Sequence, residues 1–457
     1  MTNIESIKKY KNIHMIGIGG ISMSGIAEIL TNWGFKVTGS DSTDSEIIQK
    51  LKTNNIDVSI GHNLEMVKNS DLVVYTAAIS NDDPELVLAK SLNIPTVERA
   101  DFLGELTKAF EDTIGISGTH GKTTTTSMIS TCFLEANLDP SIQVGAILKE
   151  IDGNYRVGNS PYFIIEACEY VESFLKFRPK SEVILNIDND HLDYFKNLDA
   201  IKHAFEKYVK LLPDNGLLVL NNDDTACAEL AKFVNCKVLT YGIKTNADFT
   251  AKNIIFDDNG FGNFDVYFNN EFYEHIELSV AGIHNVLNSL ACIALCTDYK
   301  IDKKYIKTAL KKFTGASRRL EYKGKINSAS IFDDYGHHPT EIKATANAIK
   351  NKKYNESWVV FQPHTYSRTQ SLLDDFANSL LDFDHIIITD IYAAREKNIY
   401  GISSKDLADK INQLDNKAIY ISSFDEIVDY LKENVKEKDI VLTLGAGTVT
   451  KISEMLK

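Results

Sequence analysis

The sequence contains no C-x-x-C pair, no apolar run approaching the roughly 20 residues of a membrane helix, and only 8 prolines among 457 residues. Without that cysteine spacing, Cys132, Cys168, Cys227, Cys236, Cys292 and Cys296 read as buried thiols of a reducing compartment, not as a zinc or disulfide framework. The opening MTNIESIKKYKNIHMIGIGG places charges before an apolar stretch too short and too glycine-rich for a signal peptide. A cytoplasmic protein that does not engage a membrane is the expectation. Positive charge is also in short supply: 49 basic against 63 acidic residues leave a net charge of −14. That balance excludes a broad nucleic-acid-binding face but permits local pockets for small anions. With 44% hydrophobic and 25% charged residues, no low-complexity segment and no repeat of solenoid period, the chain is globular.

A chain of 457 residues outgrows one hydrophobic core, so about three domains are expected. Residues 12–18 read as a buried strand followed by a glycine turn and the helical SGIAEILTNWG, and FKVTGSD, DLVVYTAAI and IPTVER read as further strands. After TKAFEDT a second cycle opens with TIGISG and continues through YFIIEAC, EVILNID and GLLVLNND, separated by helical segments such as AIKHAFEKYVKLL. Alternation in FGNFDVYFNNEFYEHIEL predicts an antiparallel pair before the helix HNVLNSLACIALC. A third cycle follows FTGASRRLEYKG, with strands SIFDDY, SWVVFQP, HIIITDI, KAIYIS and DIVLTLG, and closes in the turn GAGTV. Strands alternating with helices predict an α/β protein with doubly wound parallel sheets, in domains at 1–108, 109–316 and 317–457.

The densest motif is IGISGTHGKTTTT at 114–126. An apolar strand enters a glycine loop and then a helix, so backbone N–H groups and a helix N-terminus face one anion. Lys122 adds a full charge and Thr123 a hydroxyl for Mg2+. The spacing is shorter than G-x-x-x-x-G-K-[ST], since Ile116 stands where the first glycine would be. The remaining Gly118-Thr119-His120-Gly121-Lys122-Thr123, continuing into Thr124, still predicts a triphosphate site. GIGGISMSG at 17–25 has the place of a dinucleotide turn but carries Ser22 at its last position. Gly19 and Gly20 let backbone approach a diphosphate, Ser24 supplies a hydroxyl, and Asp41 is placed for a ribose. NAD and another diphosphate nucleotide remain alternatives at this point, beside a purely structural turn.

Glu166 and His191 end consecutive apolar strands, where a doubly wound sheet exposes its ligand crevice, so both can converge on Thr123 and a metal ion. DDYGHHPTEI, FQPHTYSRT and YAAREKN gather His, Arg and Asp on loops of the last cycle. Their spacing is not that of a zinc site; Arg368 suits a carboxylate, and Asp334 a hydroxyl or an ammonium. Sites for ATP, a diphosphate nucleotide and a small charged molecule together favour ATP-driven joining, in which a carboxylate is phosphorylated and an amine attacks the acyl phosphate.

GIGGISMSGIAEIL, GSD, GTHGKTTTT, EACEYVESFL, NIDNDHLDYF, GIHNVLNSLA, GASRRLEYKG, DDYGHHPTEI, FQPHTYSRT and AREKNIYGIS run in order from about residue 12 to 402 and resemble the Mur ligases of bacterial cell-wall synthesis. The resemblance implies an N-terminal Rossmann-like domain for a UDP moiety, a central P-loop ATPase-type domain and a C-terminal Rossmann-like domain for an amino acid. It implies a ligase joining L-alanine to the lactyl carboxylate of UDP-N-acetylmuramate, with ATP and Mg2+, as a monomer or weak homo-oligomer. By position, Lys122 holds the β- and γ-phosphates, Thr123 and Glu166 a first Mg2+, and His191 a second. His284, Asn285 and Asn288 flank adenine, Arg319 reaches the ATP phosphates, and Asp334 the ribose. Gly19, Gly20, Ser24, Asp41 and His62 contact the UDP moiety, and Arg368 takes L-alanine with His364 and Tyr335 nearby. The family loop is G-T-x-G-K-T, which accounts for the missing glycine. Two departures stand out: Ser22 replaces a glycine, and Thr365 an arginine, present in many members. No lysine here matches the carbamylated lysine of sister ligases. Rival readings are a ligase adding a recycled tripeptide to UDP-N-acetylmuramate, an NAD-dependent oxidoreductase, and a nucleotide-switched binding protein.

Overall fold

A computed structural model of the chain describes residues 7–190, 194–350, 352–394 and 396–456. The chain forms two compact units, Met1–Thr250 with Leu290–Ala309, and Ala251–Ser289 with Leu310–Lys457.

In the first unit, a five-stranded sheet runs in the order Asp57–Ile60, Lys36–Asp41, Asn12–Ile16, Leu72–Tyr75, Thr96–Glu98, all parallel. Sequence order reverses on either side of Asn12–Ile16, so the turn that follows this strand lies at a topological switch point, where doubly wound sheets hold ligands. A second sheet orders Lys237–Gly242, Leu217–Asn221, Ser181–Ile184, Asp112–Ser117, Tyr162–Glu166, Ser141–Leu148 and Gly153–Arg156. Only the last of these pairs is antiparallel. Its central strands are apolar on both faces, as Leu217–Asn221 shows by burying every residue, because helices cover both sides. Asp112–Ser117 sits at this sheet's switch point and delivers the 118–123 loop to its carboxyl edge. Both sheets contribute to one apolar core, in which Phe110 stacks on Phe163 at 4.6 Å. The strand at 57–60 and the pairing of 141–148 with 153–156 were not foreseen; each is short or irregular, with a register shift between Gln143 and Leu148.

In the second unit, the alternating stretch forms the antiparallel strands Phe261–Phe268 and Glu271–Ala281, joined through Asn269 and Asn270 at φ 50° and 67°. Asparagine tolerates that left-handed geometry in a two-residue hairpin. A six-stranded sheet follows in the order Glu321–Ile326, Ala329–Asp334, Ile440–Leu444, Ser357–Phe361, His385–Ile388, Ala418–Tyr420. It is parallel except for its first strand. The five strands expected for the third cycle are all present. Among the described residues, no helix is long and apolar enough to cross a membrane.

Candidate active site

The phosphate loop is built by backbone geometry that side chains resist. Gly118 has φ +136°, and a Cβ there would lie 3.0 Å from Leu185 Cβ; Gly121, at φ +88°, caps the helix Lys122–Glu135. The loop is pinned to the end of the neighbouring strand. Thr119 N donates to the Asn186 carbonyl at 3.0 Å, His120 N to Asn186 Oδ1 at 2.7 Å, and Asp188 N to Thr119 Oγ1 at 2.9 Å. Asn186 and Asp188 were not picked out in the sequence; the polar NIDND after an apolar strand was their signal. The helix buries Thr123 through Phe133, so its face is polar hydroxyls and apolar groups together, fixed by bonds such as Ser127 Oγ to the Thr123 carbonyl at 2.7 Å.

Lys122 donates to the carbonyls of Gly118 and Thr119 and to Glu169 at 3.0 and 3.2 Å. Burial works against its charge, but the carboxylate of Glu169, with help from Glu166, holds it above the ordinary lysine range. Glu169 carries no strand-end signal in EACE, where Glu166 ends the strand Tyr162–Glu166, so only the folded contact shows that it reaches Lys122. Thr123 Oγ1 donates to Glu166 Oε2 at 3.2 Å, and Gly145 N to Glu166 Oε1 at 2.5 Å. A threonine hydroxyl beside a carboxylate, with a lysine next to the threonine in the chain, offers the oxygen donors that Mg2+ takes beside a triphosphate. Thr124 is enclosed in the same first turn. His191 lies outside the described residues.

At the N-terminal turn, Gly19 N donates to Asp41 Oδ2 at 2.9 Å and Thr43 N to Asp41 Oδ1 at 3.2 Å, so Asp41 braces the loop holding Gly19 and Gly20. Ser24 is fully enclosed and donates to the Ile21 carbonyl at 2.9 Å. His62, 54% exposed, lies 3.6 Å from Asp83 and 3.7 Å from Glu85. Burial would raise Glu85, but His14, Ser40 and the Asn63 N–H hold it at about 2. Ser22 accepts from Gln143 Nε2 at 2.8 Å and from Arg99 at 3.4 Å. The residue that departs from the glycine pattern is therefore an anchor. A cavity of about 150 Å³ is lined by Ser22, Arg99, Gln143, Gly145, Glu166 and Cys168. It joins the N-terminal turn to the carboxylate beside Thr123, and its size suits one arm of a ligand, not a whole nucleotide sugar.

In the second unit, Asp334 accepts from Leu320 N at 2.7 Å and Gly336 N at 2.8 Å; burial, opposed by Arg319, raises it to about 6. Both arginines of the pair lie over the Tyr335 ring, at 5.0 and 5.3 Å, but Arg318 is also committed to buried Asp333 at 3.2 Å and the Gly445 carbonyl at 2.5 Å, and Arg319 lies 3.8 Å from Glu341. His337 and His364 rings are 5.5 Å apart, and His364 stacks near Tyr392 at 5.7 Å. Arg368 sits in the short helix Tyr366–Ser371 just after Thr365, whose φ of +64° is strained for a β-branched residue. Asn285 donates to the Ala281 carbonyl at 2.8 Å and accepts from Asn288 at 3.1 Å, and His284 precedes them. Burial, then the charge of Arg319, pushes His284 down to about 4, so its ring is neutral at pH 7.

Fold and loop together define an α/β protein of doubly wound, mainly parallel sheets, with a glycine loop opening the helix Lys122–Glu135. Family models match in chain order: "Mur ligase family, catalytic domain" over residues 12–111, "Mur ligase middle domain" over 116–296 and "Mur ligase, glutamate ligase domain" over 318–447. The chain is 51% identical over 448 residues to the UDP-N-acetylmuramate–L-alanine ligase of Acetivibrio thermocellus, covering 98% of this chain and 96% of that one. It is 52% identical to the ligase of the same name from Clostridium acetobutylicum, covering 97% of each. Among solved structures, the UDP-N-acetylmuramate–alanine ligase of Thermotoga maritima superposes with a TM-score of 0.83 at 29% identity, covering 98% of both chains. A murein peptide ligase of Psychrobacter arcticus gives 0.72 at 25%, again covering 98% of both. The chain belongs to the Mur ligase family.

Proposed function

We propose that the chain is an ATP-dependent ligase joining L-alanine to the lactyl carboxylate of UDP-N-acetylmuramate, releasing ADP and phosphate, in peptidoglycan precursor synthesis. The convergence of Lys122, Thr123 and Glu166 at one end of the cavity carrying Arg99 and Gln143 is the observation that carries this reading. It gives a phosphoryl donor and a carboxylate acceptor one meeting place, which an oxidoreductase would not need. The high identity to ligases of that name selects the acceptor and the amine.

In this reading Lys122 and the backbone N–H groups of 118–123 hold the phosphates in line with the muramate carboxylate, near Arg99. Thr123 and Glu166 hold Mg2+, which supplies charge neutralisation on the transferred phosphoryl group. His191, by family position, holds a second ion. Gly19, Gly20, Ser24, Asp41 and His62 form the UDP side, with Asp41 acting through the backbone it braces. His284, Asn285 and Asn288 serve adenine, Arg319 the phosphates and Asp334 the ribose. Arg368 takes the alanine carboxylate with His364 and Tyr335 beside it. The neutral amine of alanine attacks the acyl phosphate, and the tetrahedral intermediate collapses to amide and phosphate. Functional domains at 1–108, 109–316 and 317–457, a cytoplasmic location and a monomer or weak homo-oligomer complete the proposal.

Phosphate release from MgATP with UDP-N-acetylmuramate, measured with L-alanine, a tripeptide or neither, tests it. Turnover dependent on L-alanine is expected, and Lys122→Ala or Glu166→Ala should abolish it in folded protein. Turnover with the tripeptide alone would assign the recycling reaction instead, and acceptor-independent release a nucleotide switch.

A further inference from the structure

Three cysteines far apart in sequence share one buried position in the first unit. Cys132 belongs to the helix Lys122–Glu135, and Cys292 and Cys296 lie four residues apart, hence on one face, of the helix Ile283–Asp298. Cys132 Sγ is 3.5 Å from Cys292 Sγ, Cys292 Sγ is 3.9 Å from Cys296 Sγ, and all three sulfurs fall within 4.8 Å of one another. Each residue is 0% exposed, as are Ile129, Phe133, Ile293 and Leu295 beside them in the same helices. Nothing in the proposed ligase reaction uses these thiols.

The spacing fits coordination to a common centre. Metal–sulfur bonds of about 2.3 Å put three sulfurs around one ion about 4 Å apart. Among the described residues, no histidine or carboxylate joins the group. The hard-ion donors that calcium, magnesium or manganese prefer are therefore missing, and so is the fourth ligand of a closed zinc site. We propose that Cys132, Cys292 and Cys296 form an all-sulfur site for one soft monovalent metal ion of the Cu(I) class.

Soft thiolate donors select Cu(I), and binding displaces their protons to solvent as the ion enters. Binding fastens the phosphate-loop helix to the helix carrying residues 292 and 296. Because the sulfurs are enclosed, entry requires local opening of these helices, so uptake is slower than at an exposed thiol such as Cys168.

The experiment is an anaerobic titration of the reduced full-length protein against Cu(I) held by a chromophoric chelator, with X-ray absorption reporting the sulfur neighbours. One Cu(I) per chain with three sulfur neighbours is expected, weakened roughly tenfold or more in Cys292→Ala and Cys296→Ala and unchanged in Cys236→Ala. Thermal melting confirms that each variant is folded. Should both buried variants fail to fold, alkylation mapping of the unmodified chain in mild denaturant decides: Cu(I) should protect Cys132, Cys292 and Cys296 but not Cys236. Failure to withdraw Cu(I), retention of full affinity in the folded variants, or absence of that protection would each overturn the proposal.

Discussion

Lys122 Nζ lies 3.0 Å from Glu169 Oε2, and the Glu169 side chain is only 2% exposed. The principal cation of the phosphate loop is thus already held by a protein carboxylate, and a triphosphate must share it or displace Glu169. Losing one partner of a buried pair costs about 3–5 kcal/mol. Because the Lys122 side chain keeps 16% exposure, the cost here should fall at or below the low end of that range. Glu169→Gln is therefore expected to lower the melting temperature of the ligand-free protein while enlarging the upward shift produced by MgATP. Scanning calorimetry with and without nucleotide measures both, and an unchanged nucleotide shift would remove Glu169 as a competitor.

Arg99 borders the cavity that ends at Glu166 and lies 3.4 Å from Ser22. An arginine there can pair with the carboxylate being activated. Arg99→Ala should raise KM for UDP-N-acetylmuramate by about 10-fold or more, the loss of a charged hydrogen bond, with KM for ATP little changed. Steady-state kinetics varying each substrate separate the two; equal effects on both would place Arg99 outside the acceptor subsite.

The parallel sheets were legible because their strands are apolar runs closed by glycine turns, and GTHGKT was legible because backbone geometry there demands glycine. What escaped was set by distance in sequence. Asn186 and Asp188 matter only because the strand Ser181–Ile184 lies beside Asp112–Ser117, a pairing no local pattern states. Gln143 and Arg99 meet Ser22 across 121 and 77 residues. Of the two glutamates in EACE, the strand-end argument selects Glu166, while only packing reveals that Glu169 reaches Lys122. Similarly, Arg318 and Arg319 look equivalent in GASRRL, and buried Asp333 decides which one is structural.

His284 is held at about 4 against an ordinary 6.5, first by burial and then by the charge of Arg319. The unfolded chain takes up a proton near pH 6.5 that the folded chain refuses. The contribution of this group is therefore complete above that pH and declines as pH falls towards 4. Relative to His284→Gln, the urea midpoint of the parent should therefore fall between pH 7 and pH 5. A slope identical in the variant would mean that His284 accepts its proton in the folded state.

Glu182 sits in the strand Ser181–Ile184 of the central sheet, in register with Gly115 on one side and Leu218 on the other. It is 0% exposed, and neither carboxylate oxygen has a hydrogen-bond partner among the described residues. The Tyr208 hydroxyl, likewise enclosed without a partner, occupies the space a Cβ on Gly115 would need, only 2.3 Å away, while its ring stacks on Phe174 at 4.3 Å. Burial raises Glu182 well above the ordinary carboxyl value of 4.5, so the folded state keeps it protonated where the unfolded chain ionises. The sign follows: its contribution is intact below that value, and each pH unit above it favours the unfolded chain by about 1.4 kcal/mol until the folded group itself titrates. Glu182→Met, apolar and similar in size, removes both the penalty and the unpartnered oxygens. The variant should melt higher than the parent, with a gap wider at pH 8 than at pH 5, and turn over substrate at the parental rate. A gap independent of pH would show that Glu182 is not neutral when folded, and a lower melting temperature at both pH values would show that its carboxyl group contributes bonds the sheet needs.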